Sequence, residues 1–189
     1  QGFITNNLIY AYNYLKESPD VSVTTFESSG TLEERGAAFL FLRWLLDQKG
    51  PGLARQLVQS NLTGIQNVSV KAGEPFEALF GDFAVAVYTD SLPGVARDAI
   101  PQRYRFTSRN LRRLFARLHQ IGAVGPQPFP IVPATLPAEG GVTSAMVQGT
   151  MQHYLLQSGE SAVPMHLVRP DKRGLDADLS PQVSIFRLP

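Results

Sequence analysis

Between Ala37 and Leu46 the chain reads Ala-Ala-Phe-Leu-Phe-Leu-Arg-Trp-Leu-Leu, apolar at every position except Arg43. At helical spacing such a run leaves no side for water, so it predicts a helix surrounded by other parts of the protein. Its start is marked by Thr31 followed three residues later by Glu34. At that spacing a hydroxyl and a carboxylate each satisfy a backbone amide at a helix N-terminus, worth about 1 kcal/mol. Gly50-Pro51-Gly52 ends the helix after Lys49. A helix of this kind needs amphipathic neighbours to enclose it.

Two segments have the pattern of such neighbours. Asn6 to Ser18 places Leu8, Ile9, Tyr12 and Leu15 at helical spacing and stops before Pro19. Phe76, Leu79, Phe80, Phe83 and Val87 recur at i, i+3, i+4, i+7 and i+11. Pro75 suits the first turn of that helix, where its missing N–H costs nothing. The stripe reads as core rather than as a cofactor box, because aromatic and aliphatic side chains prefer burial.

Elsewhere the signals are shorter. Leu53 to Gln59 has room for two helical turns, Asn61 to Gly73 reads as a loop with glycines at 64 and 73, and Val21 to Phe26 as a short strand or an extended loop. After Asp90, prolines at 93, 101, 126, 128, 130, 133 and 137 break the chain around one helical pattern, Asn110 to Leu118. Pro126 to Pro137 reads as an extended linker. Beyond it lie β-like runs, Val142 to Leu156, Val163 to Val168 and Val183 to Leu188. The expected fold is α+β: a helical lobe over residues 1–125, then a small antiparallel, sandwich-like β domain over residues 126–189.

Composition narrows the function classes. A chain of 189 residues with 43% apolar content can bury one core or two small ones. A formal net charge of +1 removes the broad electrostatic case for nucleic acid or an acidic membrane as partner. Lack of cysteine excludes thiolate metal sites, thiol catalysis and disulfides, and leaves the compartment open. Gln1 in place of Met, with no leader pattern behind it, points to a processed, truncated or engineered start. No apolar run reaches the ~20 residues of a transmembrane helix.

Chemistry-bearing motifs are few. His119 ends a helical pattern, whereas His153 and His166 fall in strand-like runs; none has a second ligand at i+3 or i+4. A zinc site contained in this chain is therefore not expected. There is no Gly-x-Ser-x-Gly elbow, phosphate loop or dinucleotide glycine pattern. Asn61-Leu-Thr63 and Asn67-Val-Ser69 fit the glycosylation acceptor, a pattern short enough to arise by chance.

Arg103, Arg105, Arg109, Arg112, Arg113 and Arg117, interleaved with Tyr104, Phe106 and Phe115, could track a phosphate backbone and stack bases. The alternative is a solvated helix face and a junction whose guanidinium groups pair with carboxylates of the helical part. The near-neutral charge favours the second reading.

The segment Glu33-Glu34-Arg35-Gly36-Ala37-Ala38-Phe39-Leu40-Phe41-Leu42-Arg43-Trp44-Leu45 resembles the helix that follows the zinc-binding helices in the gluzincin superfamily of metallopeptidases. The likeness continues through Leu57-Val58-Gln59-Ser60, Thr63-Gly64-Ile65-Gln66-Asn67 and Gly73-Glu74-Pro75-Phe76-Glu77-Ala78-Leu79-Phe80-Gly81-Asp82-Phe83-Ala84. Over residues 1–117 the chain is similar to the hyicolysin-type bacterial peptidases and related secreted proteins or lipoproteins.

That resemblance implies the C-terminal part of a zinc metallopeptidase. Its His-Glu-x-x-His helix and downstream glutamate ligand would lie upstream of Gln1. This chain would then carry no catalytic residue, metal or cofactor of its own; zinc would belong to the parent protein. Glu33, Glu34 and Arg35 would line the cleft or brace its wall, and Gly36 would let a neighbouring helix approach. In the aminopeptidase branch a tyrosine stands in the place of Glu33, so its oxyanion role is not carried over. The implied partners are the N-terminal part of the same protein and a peptide or protein substrate, with no nucleic acid. The implied location is extracytoplasmic, secreted or lipid-anchored.

Pro181-Gln182-Val183-Ser184-Ile185-Phe186-Arg187-Leu188 resembles the sandwich-like modules appended to secreted bacterial peptidases. The alternative function, from another class, is a non-catalytic binding or structural protein that combines a peptidase-like scaffold with a β-sandwich module.

Overall fold

The computed structural model describes residues 2–25, 29–137, 142–156, 165–169, 171, 173–174 and 181–187. Among them are six α-helices: α1 Gly2–Lys16, α2 Leu32–Lys49, α3 Gly52–Val58, α4 Gly64–Ala72, α5 Phe76–Thr89 and α6 Leu111–Gln120. Two short 3-10 turns, Arg97–Ala99 and Gln102–Tyr104, lie between α5 and α6. None of the described helices is long and apolar enough to cross a membrane.

The expected helix start is present in full. The Thr31 hydroxyl accepts the Glu34 N–H at 3.1 Å, and the Glu34 carboxylate accepts the Thr31 N–H at 2.7 Å. Gly50 ends α2 at φ +89°, a backbone conformation that disfavours any side chain. Burial around α2 is less complete than the sequence suggests. Arg35, Leu42 and Lys49, seven residues apart, form an exposed stripe, with Leu42 40% exposed.

Elsewhere α2 is the centre of the core. Phe41 meets Phe76 at 5.4 Å and Phe83 at 5.3 Å between ring centroids, and Trp44 meets Phe83 at 5.9 Å. The aromatic stripe of α5 is therefore core, as its spacing predicts. On another side α1 crosses α2 at Gly36, where a Cβ would meet the Tyr10 carbonyl and lie 2.6 Å from the Ala11 nitrogen. The close helix approach expected at Gly36 is thus made by α1. Tyr12 then extends the core to α6, edge-on to Phe115 at 5.7 Å.

The 61–73 segment differs from the expected loop. It contains α4, and the two glycines that suggested a break are its ends: Gly64 opens it at φ +54° and Gly73 closes it in the left-handed region. The Gly73 N–H donates to the Ser69 carbonyl at 2.9 Å, a C-terminal closure that glycine favours.

The expected antiparallel β sandwich is overturned. The described strands are β1, Ala134–Leu136, and β2, Tyr154–Leu156, paired in parallel with Ala134 opposite Tyr154 and Leu136 opposite Leu156. Of the Val142 to Leu156 run only the last three residues enter a ladder. Met165, Leu167, Val168, Val183 and Ile185 are exposed and outside any strand. Val163 and Leu188, at the ends of the other two runs, lie outside the described residues. Alternation sets which face an extended segment would bury; a strand also needs a partner to hydrogen-bond with.

The proline-rich stretch after α6 is no free spacer either. Ile131 joins the buried cluster of the helices, and Phe129 packs on Phe115 at 6.2 Å.

Candidate functional site

The three residues at the start of α2 stand in different surroundings. The Glu34 carboxylate is buried in the cap, Glu33 is half-buried, and Arg35 is exposed with Nη2 donating to the Ser29 carbonyl at 3.3 Å. Successive residues on a helix point about 100° apart, so the trio does not converge on one point.

A groove of about 240 Å³ opens elsewhere, lined by Tyr12, Lys16, Pro126, Gln127, Pro130 and Val132. Lys16 is the one charged residue of that lining. One wall is fixed by Tyr12, whose hydroxyl donates to the Gln127 carbonyl at 2.8 Å. Sequence reading missed this place, because it forms where the proline-rich stretch folds back on α1.

The densest polar constellation joins α2, α5 and α6 through the 97–111 segment. Asp47 accepts from Arg43 Nη2 at 2.5 Å, and its other oxygen accepts the Thr107 N–H, the Ser108 N–H and the Ser108 hydroxyl, each at 3.0 Å. Asp90 is fully buried and accepts the Phe106 N–H at 3.1 Å and the Leu111 N–H at 2.7 Å. Burial pushes its carboxyl above the usual aspartate range, partly offset by those two amides and by Arg97 and Arg112. Asp90 also supplies the negative charge that the first turn of α6 lacks, where Arg112 and Arg113 oppose the helix dipole.

Arg112 is bound without touching a carboxylate among the described residues. It donates to the Tyr88 carbonyl at 2.8 Å and lies 3.9 Å from the Phe129 ring centroid and 5.5 Å from that of Tyr88. Burial lowers its pKa. Arg97 donates to the Phe106 carbonyl at 2.8 Å, and Arg105 to the Arg97 carbonyl.

The six-arginine cluster is therefore held mainly by other means than the expected carboxylate pairing. Of the six, Arg103 forms an ion pair among the described residues, with Asp82, and that bond raises its pKa. Backbone carbonyls take Arg105, Arg109 and Arg112, whereas Arg113 and Arg117 are exposed. Phe106 and Phe115 are 0% exposed and offer no face on which a base could stack. Tyr104 is half-buried.

The histidines do not gather. His119 Nδ1 lies 2.9 Å from the Gly125 carbonyl, His153 Nε2 lies 2.9 Å from the Ala84 carbonyl, and His166 is exposed. Zinc does not fit these residues: among those described, no three His, Asp or Glu side chains form a group able to hold a metal. Asp47 and Asp90 were the polar residues least legible in sequence. Their signals were slight, an i, i+4 spacing from Arg43 and a position closing an apolar helix.

No protein-family model matches the chain, and no curated protein or solved structure matches it.

Proposed function

We propose that this chain is the supporting helical part of a zinc-metallopeptidase-like bacterial protein. Its ligands and general base would be supplied by residues upstream of Gln1, and it would act on peptide or protein substrates outside the cytoplasm. The observation that carries the reading is the packing of the Glu33 to Leu45 segment on all but its Arg35 and Leu42 side: α2 is capped by Thr31 and Glu34, crossed by α1 at Gly36 and backed by the aromatic stripe of α5.

Metal ligands must be held within a few tenths of an ångström of productive geometry, and a helix packed in this way provides fixed backing for neighbouring ligand helices. Asp47 and Asp90 add to that rigidity by tying the 97–111 segment to α2 and α5. In this reading Glu33 and Arg35 belong to the surface that meets the rest of the protein, while Glu34 serves the helix cap.

The test uses the complete gene product. Its sequence upstream of Gln1 should contain His-Glu-x-x-His followed by an acidic ligand, and it should cleave a mixed peptide library in a chelator-sensitive manner. An upstream region without those ligands, in a folded product that leaves every peptide intact, would favour a non-catalytic binding protein.

A further inference from the structure

His153 sits where an extended segment changes its attachment. Residues before it are tied to the turn after α1. The Val23 N–H donates to the Gly149 carbonyl at 3.0 Å, the Met151 N–H to the Ser18 carbonyl at 3.1 Å, and the Ser22 hydroxyl to the Gln148 carbonyl at 2.7 Å. The Met151 side chain is buried in the core.

Past Met151 the segment is held to α5 by the His153 ring. The His153 imidazole packs on Tyr88 of α5, centroids 5.5 Å apart, with Nε2 2.9 Å from the Ala84 carbonyl. The His153 carbonyl accepts the Ala134 N–H at 3.1 Å, next to the first β1–β2 pair. The His153 side chain therefore joins the ladder to α5. Strands of three residues in a two-stranded sheet are too short to persist without such an anchor.

We propose that His153 is a pH-sensitive latch: neutral, it clasps the β1–β2 ladder onto α5, and protonated, it releases residues 134–136 and 153–156 while the helical core stays in place.

The surroundings explain the direction. From α5 the imidazole is faced by the Tyr88 phenol and the Ala84 carbonyl. Arg112 of α6 is bonded to the Tyr88 carbonyl, and Asp90 is occupied by the Phe106 and Leu111 amides. β1, Ala134–Leu136, brings no titratable side chain, and the neighbouring Tyr154 hydroxyl donates to Gln152. A proton would place a charge on a ring packed against the Tyr88 phenol and the Ala84 carbonyl, with no carboxylate bonded to it among the described residues. Nε2 donates to Ala84 in both states, so desolvation of the added charge decides the outcome.

Burial accordingly holds the His153 pKa below the usual histidine range. Once released, the ring returns to about 6.5. The latch is therefore fully closed above that pH. As pH falls, the released form takes a proton that the latched form resists, and closure weakens until the latched ring itself titrates.

Hydrogen exchange read by mass spectrometry tests this at pH 7.5 and pH 5.0, after correction for the intrinsic pH dependence of exchange. Peptides covering 134–136 and 153–156 should lose protection at pH 5.0, by up to ~tenfold per pH unit below the released pKa. Peptides from α2 and α5 should not change. His153→Gln, a neutral donor for Ala84, should keep the ladder protected at both pH values, and His119→Gln should respond as the wild type does. Equal wild-type protection at the two pH values, or a pH response that survives in His153→Gln, overturns the latch. Should His153→Gln fold poorly, NMR of the wild type decides: a His153 ring titrating below ~6.5 together with the Leu155 amide supports the latch, and one titrating at or above that value overturns it.

Discussion

Gly36 of α2 lies so close to the Tyr10 carbonyl of α1 that a Cβ on it would enter the space of that backbone. Backbone cannot yield as a flexible side chain can, so α1 and α2 would have to separate. Gly36→Ala should therefore destabilise the fold by about 1–3 kcal/mol, despite the ~1 kcal/mol that alanine gains in helix propensity. The midpoint of guanidinium denaturation checks this. A midpoint unchanged or raised would mean that the crossing is looser.

Asp90 makes a different kind of junction, one carboxylate accepting amides from Phe106 and Leu111. Asp90→Asn should cost about 1–3 kcal/mol, because its amide nitrogen cannot accept the bond it replaces. The pH dependence has a definite sign. With its pKa raised by burial, folded Asp90 takes up a proton before the unfolded chain does, so its protonation adds stability as pH falls toward the ordinary aspartate value. The stability gap between wild type and Asp90→Asn should widen from pH 7 to pH 4, as measured by urea denaturation at each pH. A gap that narrows contradicts the assignment.

Two tyrosines on α1 should give opposite results. The Tyr14 hydroxyl is buried without a hydrogen-bond partner among the described residues, and burial pushes its pKa up. Tyr14→Phe should leave stability unchanged or raise it by up to ~1 kcal/mol, since it removes a desolvated group with no partner among the described residues. Tyr12→Phe loses the bond to the Gln127 carbonyl and should cost about 1 kcal/mol, with faster proteolysis in 126–132. Thermal melts and limited thermolysin digestion separate the two variants.

The legible parts of the fold were those written in local spacing. The Thr31 and Glu34 cap, the Phe76 to Val87 stripe and the Asn110 start of α6 each follow from residues within a few turns of one another. The Gly64 and Gly73 pair misled because glycine suits helix ends as well as loops. The β-like runs misled for another reason: Val183 and Ile185 alternate as strand residues do, but pairing depends on a partner that local pattern does not supply. Asp47 and Asp90 take their meaning from amides 16 to 61 residues away, at Phe106, Leu111, Thr107 and Ser108. No spacing rule encodes such contacts.

The central claim, that α2 and its neighbours back a zinc site built by the rest of the protein, is tested most directly by metal analysis. The complete gene product, purified and dialysed against metal-free buffer, should retain about one zinc per chain, the stoichiometry of a single catalytic site. Residues 1–189 produced alone should retain none. A folded complete product that holds no zinc, and takes up none when zinc is supplied, contradicts the account.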